Sequence, residues 1–334
     1  MRKSFIFLIV FLIFGFGIFL WQGVYLSRSE LALLRGLPKN SQLVEEKLFL
    51  VEKGQNLFQI AEKLEKEGLI KNKFLFDFWI FIKRSQKKLQ AGEYSLSPSM
   101  SIAEIAQKII SGDVAKIKIT IPEGFNLKQV EEKLNLSLRG LKVKDFKSEF
   151  GFLNDAPAGA SLEGFLFPDT YILDVSMGNK EIAEAFLKNF DKKLAPYRNE
   201  VSDTGLTVYE IITMASLIEK EVKTFEDKKV VSGILWKRLK AGIPLQVDAT
   251  ISYITGESTT KISIEDTKID SPYNTYKYLG LPKGPICNPG LDSILTALHP
   301  KSSECWYYLS TPEGKTIFSR TLEEHNIAKA KYLK

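Results

Sequence analysis

Two glutamates in one predicted helix, Glu219 and Glu221, are the residues of this sequence best suited to acid–base chemistry. From Thr207 to Lys223 apolar residues recur at helical spacing, so rotation by 100° per residue can be measured from Val208. Glu219 falls about 20° from Val208, inside the apolar stripe, whereas Glu221 falls at about 220°, on the opposite side. A carboxyl group among apolar side chains has a raised pKa, as a general acid near neutral pH requires.

This pattern predicts Glu219 as a buried general acid and Glu221 as part of a solvated or structural face. Two alternatives stay open: Glu219 forms a buried ion pair with a Lys or Arg, or the helix is rotated so that Glu219 reaches solvent. No metal or other cofactor is expected. The sequence has two His and two Cys, too few for a His-rich centre or a four-cysteine zinc site.

The elements before this helix begin with an uncharged run of 24 residues, from Ser4 to Ser27. As a helix it would be roughly 36 Å long, enough to cross a hydrocarbon core of about 30 Å. Arg2 and Lys3 precede the run, so the positive-inside rule predicts a cytoplasmic N-terminus. A cleaved signal peptide is the alternative, but no small-residue cleavage site follows the run.

We therefore expect residues 1–28 to form a cytoplasmic start and a single-pass anchor in the cell (inner) membrane, followed by a linker over residues 29–45. The remainder would lie outside the cytoplasm. In that compartment a disulfide between Cys287 and Cys305 is permitted but not required. The net charge of +6 is small and the lysines are spread along the chain, so nucleic acid is not an expected partner.

A repeated phrase organises the exported part. Residues 51–64 and 121–134 share seven of fourteen positions at an offset of 70, and each copy predicts a strand, a glycine turn and an Asn-capped helix. Gly54 and Gly124 permit a backbone with positive φ at the turn. The first copy opens a module over residues 46–115 that resembles the LysM type, a β–α–α–β fold of cell-wall-binding proteins. The fold class is therefore predicted to be α+β.

Residues 116–334 begin with the second copy and carry a series of ordered motifs. The helix motif Met214–Glu221 is followed by Leu245–Asp248, Tyr273–Tyr276, Gly280–Gly290, Ala297–Pro300 and Glu324–Asn326, and is preceded by Pro122–Gly124, Glu163–Gly164 and Phe167–Tyr171. On these motifs the chain resembles the YceG-like family of endolytic murein transglycosylases. The resemblance implies a membrane-anchored enzyme that cleaves MurNAc–GlcNAc bonds within peptidoglycan glycan strands, leaves 1,6-anhydro-MurNAc ends and acts on nascent strands.

The resemblance also implies that Glu219 is the catalytic glutamate and that cell-wall synthesis proteins are potential partners. A single carboxyl group suffices, since it can protonate the leaving oxygen and then accept the proton of the sugar's own 6-hydroxyl. Side chains with aromatic faces, amides or a carboxylate predict substrate contacts at Tyr273, Tyr276, Gln246, Asn274, Asn288 and Asp248.

Two other functions remain open from the sequence. A hydrolytic muramidase would add a second carboxylate, Asp248 or Asp169, to the acid. A non-catalytic scaffold would bind the wall without cleaving strands. The aromatic run Trp306–Tyr308 is predicted to be a core strand rather than a sugar platform.

Overall fold

The computed structural model describes residues 46–157, 159–257 and 262–333. The chain is an α+β protein, in which helices alternate with three small two-stranded sheets over these ranges. The predicted anchor and linker, residues 1–45, lie outside the described residues. Within the described ranges no helix is long and apolar enough to cross a membrane.

The chain divides into two compact units, the first of residues up to 117 with 174–176, and the second of residues 118–173 and 177–334. The first unit has the element order β–α–α–β–α. It contains β1 (Lys47–Val51), α1 (Leu57–Lys66), α2 (Lys73–Ile82), β2 (Gly92–Leu96) and α3 (Ile102–Ser111). Strands β1 and β2 pair antiparallel, from Lys47 opposite Leu96 to Val51 opposite Gly92.

The repeated phrase forms the same local structure in both copies. Gly54 has φ +88° and Gly124 has φ +76°, so the predicted positive φ is confirmed at each turn. Asn56 caps α1 by accepting from the Gln59 N–H at 3.0 Å, and Asn126 caps the corresponding later helix in the same way. Each cap uses local side chains alone, which explains why the sequence predicted it.

The second unit contains most of the remaining elements. Strands β3 and β4 pair to form the second of the three sheets in chain order. In chain order they are β3 (Lys116–Thr120), α4 (Leu127–Leu134), β4 (Thr170–Asp174), α5 (Asn179–Leu194), α6 (Arg198–Asp203), α7 (Val208–Glu221), α8 (Phe225–Lys240), α9 (Asp248–Thr255), α10 (Leu291–Leu298), β5 (Tyr307–Ser310), β6 (Thr316–Ser319) and α11 (Leu322–Tyr332). Strands β5 and β6 form an antiparallel hairpin. In the second unit, α7, α9 and β5 all contribute residues to the wall of one cavity.

Helix α7 lies at the centre of the second unit. Thr207 caps its N-terminus in a box with Glu210, and all residues from Ile211 to Ile218 are buried. Helices α8, α9 and α10 pack against it. Because the stretch from Ile211 to Ile218 is buried on all sides, the position of a residue on the wheel does not predict its exposure there.

Candidate active site

A cavity of about 1390 Å³ opens in the second unit at the C-terminal end of α7. Its wall combines acidic, basic, amide and aromatic side chains, which suits a polar ligand with flat faces. Its polar and aromatic side chains include Glu221, Arg238, Gln246, Asp248, Tyr276 and Tyr308.

Glu221 is the last residue of α7 and borders the cavity. Burial raises the pKa of its carboxyl group from 4.5 to about 7, and the negative charge of Asp248 acts in the same direction. Hydrogen bonds from the Tyr308 hydroxyl and the Ala249 N–H oppose the rise. Glu221, predicted to belong to a solvated or structural face, thus lines a cavity on that side of the helix and is hydrogen-bonded to β5 and α9.

The end of α7 is fixed in place next to the cavity. The Ser310 hydroxyl donates to the Glu221 backbone carbonyl at 3.2 Å. Val222 then continues in extended conformation, which ends the helix at Glu221. The negative end of the helix dipole adds to the effects that disfavour ionisation of a carboxyl group at this position.

Three of the predicted substrate residues do line the cavity. The Tyr276 hydroxyl donates to the Asp248 carboxylate, and Gln246 accepts from Arg238 Nη2 at 2.8 Å. Gln246 has φ +54°, an uncommon conformation for a residue with a side chain. Burial and the hydrogen bond to Asp248 raise the pKa of Tyr276, so its hydroxyl stays protonated as a donor.

Glu219 lies in a different environment from the one the apolar stripe predicts. Its carboxylate forms an ion pair with Lys228 at 3.3 Å, and the side chains are only 9% and 5% exposed. It also accepts from the Gly290 N–H at 3.1 Å and the Ser293 hydroxyl at 2.6 Å. Glu219 is therefore buried, as the apolar stripe predicts, and the ion-pair alternative describes its environment; its role as the catalytic acid stays a prediction.

These contacts make Glu219 a link between three helices. It belongs to α7, Lys228 belongs to α8, and the Gly290 N–H with Ser293 lies at the N-terminus of α10. A helix N-terminus favours a nearby anion because its first N–H groups have no partner within the helix. Glu219 is not among the residues that line the cavity.

Asn274, predicted to contact substrate, is not in the cavity wall. It is 1% exposed, and its Nδ2 donates to the carbonyls of Thr267 at 3.0 Å and Ile269 at 2.8 Å. Its Oδ1 accepts from the Tyr276 N–H at 2.9 Å. The amide therefore holds the loop that presents Tyr276, and has no group directed toward a sugar.

Asn288 and Tyr273 also lie outside the residues that line the cavity. Asn288 is fully buried, accepts from the Leu166 N–H at 2.9 Å and donates to the Phe125 carbonyl at 2.8 Å. Tyr273 packs against Tyr253 with ring centroids 5.0 Å apart. A motif of amide and aromatic residues cannot by itself distinguish a substrate contact from a buried loop contact, so the substrate role of Asn288 and Tyr273 stays a prediction.

The cavity wall also contains residues that the sequence motifs did not predict as substrate contacts. Arg238 of α8 lines it, and so does Tyr308 of β5. The strand prediction for Trp306–Tyr308 is confirmed from Tyr307 onward, but the strand borders the cavity instead of a closed core. Arg238 and Tyr308 lie on elements other than α7, so the spacing of residues within α7 could not predict their place in the cavity wall.

Glu163 is a second carboxyl group with a strongly perturbed pKa. It is 3% exposed and accepts from the Leu127 N–H at 2.9 and 3.0 Å, at the start of α4. Tyr253 donates to it at 3.2 Å, and burial raises its pKa to about 8. Its partners are groups of the fold, so we interpret it as a structural contact between α4 and α9.

The described residues contain no group of His, Cys, Asp and Glu side chains that could hold a metal ion. Cys287 and Cys305 are both free thiols. The cavity thus offers one carboxyl group, Glu221, that is protonated in part at neutral pH, beside hydrogen-bonding groups and aromatic faces. Such an arrangement can perform general acid chemistry on a polar substrate.

Comparison with known proteins identifies the family of this fold and site. The sequence model of the YceG-like family matches residues 49–331, and the chain belongs to that family. A Bacillus subtilis (strain 168) protein named endolytic murein transglycosylase is 34% identical over 302 residues, covering 85% of this chain and 84% of that protein.

A Streptococcus pneumoniae (serotype 2, strain D39) protein of the same name is 33% identical over 311 residues. The match covers 83% of this chain but 56% of the streptococcal protein's length. The crystal structure of a putative YceG-like protein from Listeria monocytogenes matches with a TM-score of 0.58 and 33% identity, covering 86% of this chain and all of that one.

Proposed function

We propose that this chain is an endolytic peptidoglycan lytic transglycosylase with Glu221 as its acid. The family and the names of its relatives support the activity. The observation that carries the choice of residue is the environment of the two glutamates. Glu221 borders the cavity with a pKa of about 7, whereas Glu219 is held in an ion pair and is not among the residues of the cavity wall.

The reaction needs one carboxyl group in two protonation states. Protonated Glu221 donates its proton to the leaving glycosidic oxygen, and the bond from that oxygen to the anomeric carbon of MurNAc breaks. The Glu221 carboxylate then takes the proton of the same sugar's 6-hydroxyl, whose oxygen bonds to the anomeric carbon. The products are a free 4-hydroxyl and a 1,6-anhydro ring, no water is consumed, and Glu221 is protonated again.

Asp248 supports this cycle through its charge. Its carboxylate raises the pKa of Glu221 and is itself held by the Tyr276 hydroxyl. A negative charge there also stabilises the positive charge that develops at the anomeric carbon. Arg238 positions Gln246 in the cavity wall, and the amide offers hydrogen bonds to substrate hydroxyl or acetamido groups.

One specific observation favours a second candidate, a hydrolytic muramidase. Glu221 and Asp248 line one cavity, and their charges interact, as in glycosidases with two carboxylates. Asp169, the other residue considered for that role, is paired with Lys193 at 3.1 Å and is not among the residues of the cavity wall.

Mass spectrometry of the products separates the two reactions. The full chain, solubilised in detergent, is incubated with purified glycan strands, and the masses of the product fragments are measured. Transglycosylation gives fragments with anhydro ends whose summed mass equals that of the substrate, whereas hydrolysis adds the mass of one water per cleaved bond. Intact strands that remain bound to the protein would support the non-catalytic scaffold instead.

We further propose that the chain is anchored in the cell membrane by residues 4–27, with its catalytic unit outside the cytoplasm near nascent glycan strands and cell-wall synthesis proteins. The uncharged run after Arg2 and Lys3 supports the anchor. Protease added to intact spheroplasts should digest the region after residue 30. Full protection of that region would contradict the topology.

A further inference from the structure

Helix α2 of the first unit exposes an apolar stripe. Phe74, Phe78, Phe81 and Ile82 are 67%, 56%, 69% and 59% exposed, and we call these four residues the α2 stripe. At 100° per residue they fall within an arc of about 100°, so they form one continuous face. The opposite side of α2 packs into the core of the unit through Phe76 and Ile80.

A group of cations follows the α2 stripe directly. Although lysines are spread along the chain as a whole, Lys83, Arg84, Lys87 and Lys88 lie within six residues, and we call them the basic cluster. All four are exposed, and none of them takes part in the ion pairs found among the described residues. No acidic residue occurs between Asp77 and Glu93.

The combination of the two features points to one kind of surface. Contiguous exposed apolar residues on a soluble unit mark an interaction site. An apolar face next to Lys and Arg is typical of helices that lie in the headgroup region of an anionic bilayer. Asp77, the acidic residue of α2, has one buried carboxylate oxygen, and burial raises its pKa.

The position of the unit in the chain makes contact with a membrane feasible. The uncharged run ends at Ser27 and β1 begins at Lys47, which leaves residues 28–46 between them. A chain of that length reaches at most about 65 Å. If residues 4–27 span the membrane as proposed above, the first unit lies within reach of the surface of the same bilayer.

We propose that the α2 stripe and the basic cluster form a docking surface for the outer face of an anionic phospholipid bilayer. The aromatic and aliphatic side chains enter the headgroup region, and the four cations contact lipid phosphates. This role is separate from the catalytic cavity, which belongs to the second unit. It requires neither the proposed reaction nor glycan binding by the first unit.

The test measures the depth of α2 in vesicles that carry the full chain. A nitroxide label is placed by Phe78→Cys or Phe81→Cys in a Cys305→Ser background, since Cys287 is buried and unavailable to the reagent. The matched control label is Ser111→Cys, an exposed position at the end of α3 in the same unit. Collision rates with oxygen and with a water-soluble nickel chelate are compared in phosphatidylglycerol–phosphatidylcholine and pure phosphatidylcholine vesicles.

In the anionic vesicles we expect labels at 78 and 81 to meet the chelate at least several-fold less often than the label at 111, and oxygen more often. Pure phosphatidylcholine should weaken this contrast. Replacing the basic cluster by Gln should lower the docking equilibrium about fivefold per cation. Two label positions are used because a single label can disturb its own contact, and the spectrum of the control label reports that the unit remains folded.

Three results would overturn the proposal. In the first, labels at 78 and 81 are as accessible to the chelate as the control label in anionic vesicles. In the second, spin–spin broadening at these positions grows with the protein-to-lipid ratio, which assigns the surface to a second copy of the chain. In the third, protection appears only after glycan strands are added, which assigns the surface to glycan.

Discussion

Replacing each of the two glutamates by glutamine separates their roles. The two substitutions are predicted to change the free energy of unfolding in opposite directions, and only one of them is predicted to remove the proton donor. Glu221→Gln removes the proton donor and should reduce strand cleavage by about 10²–10⁴-fold. Glu219→Gln leaves the donor in place but breaks the ion pair with Lys228, so its main effect should be on stability.

The magnitude for Glu221 follows from its pKa, which is 4.5 for the free side chain and about 7 in the fold. At pH 7 this rise increases the protonated fraction about 150-fold, from about 0.3% to about half. Because the folded pKa is the higher one, ionisation between pH 4.5 and 7 weakens the fold. A neutral Gln removes that penalty, so above pH 7 Glu221→Gln should increase the free energy of unfolding by about 1–3 kcal/mol.

The magnitude for Glu219 comes from the buried charge that its replacement leaves behind. Lys228, only 5% exposed, would lose its partner, and removal of one member of a buried pair costs about 3–5 kcal/mol. Gln keeps an acceptor for the Gly290 N–H and the Ser293 hydroxyl, so we expect the lower end of that range. The variant should unfold at a lower temperature than the unsubstituted chain, and below that temperature it should still cleave glycan strands.

The assay pairs thermal unfolding at pH 8 with release of anhydro ends from purified glycan strands, using full chain in detergent for both variants. Activity is expressed per folded molecule, which keeps a loss of fold from being counted as a loss of chemistry. If folded Glu219→Gln is inactive and Glu221→Gln still cleaves, the assignment of the acid is refuted and Glu219 is the catalytic residue, as the family motif implied.

Further predictions concern pH, buried amides and thiols. The acid form of Glu221 starts the reaction, so kcat/KM should fall about tenfold per pH unit above its pKa of about 7, and Asp248→Asn, by removing a charge that raises this pKa, should move the decline to lower pH. If Asp248→Asn leaves the pH of this decline unchanged, the charge of Asp248 does not raise the pKa of Glu221. Asn288→Ala should lower the free energy of unfolding by about 2–4 kcal/mol without a change in KM of the folded fraction, because its amide serves buried backbone groups; a rise in KM alone would restore it as a substrate contact. Under native conditions an alkylating reagent should modify Cys305 and spare the buried Cys287, and no reaction at either thiol would indicate a disulfide.

The parts of the fold that the sequence could predict are those encoded by neighbouring residues. The caps at Asn56 and Asn126, the positive φ of Gly54 and Gly124, and the start of α7 after Thr207 all depend on contacts within a few residues. The family was also predictable, because its motifs occur in order along the chain.

The roles within the site could not be predicted in the same way. The wheel placed Glu221 opposite the apolar stripe, but it could not show that β5 and α9, which are distant in sequence, build a cavity on that side. Nor could it show that Lys228, on the next helix, turns Glu219 into an ion-pair residue. Desolvation and pairing depend on tertiary neighbours, which a single-helix pattern does not contain.

The burial of the middle of α7, from Ile211 to Ile218, has a consequence for the motions of the enzyme. Local opening of a segment requires few buried contacts, and the residues from Ile211 to Ile218 have no exposed side from which opening could begin. Their amide hydrogens should therefore exchange with solvent only when the whole second unit unfolds. If so, the proposed acid follows directly after the slowest-exchanging part of the unit. We then expect adjustment to different glycan strands to come from the loops that carry Gln246 and Tyr276, while the proton donor keeps its position.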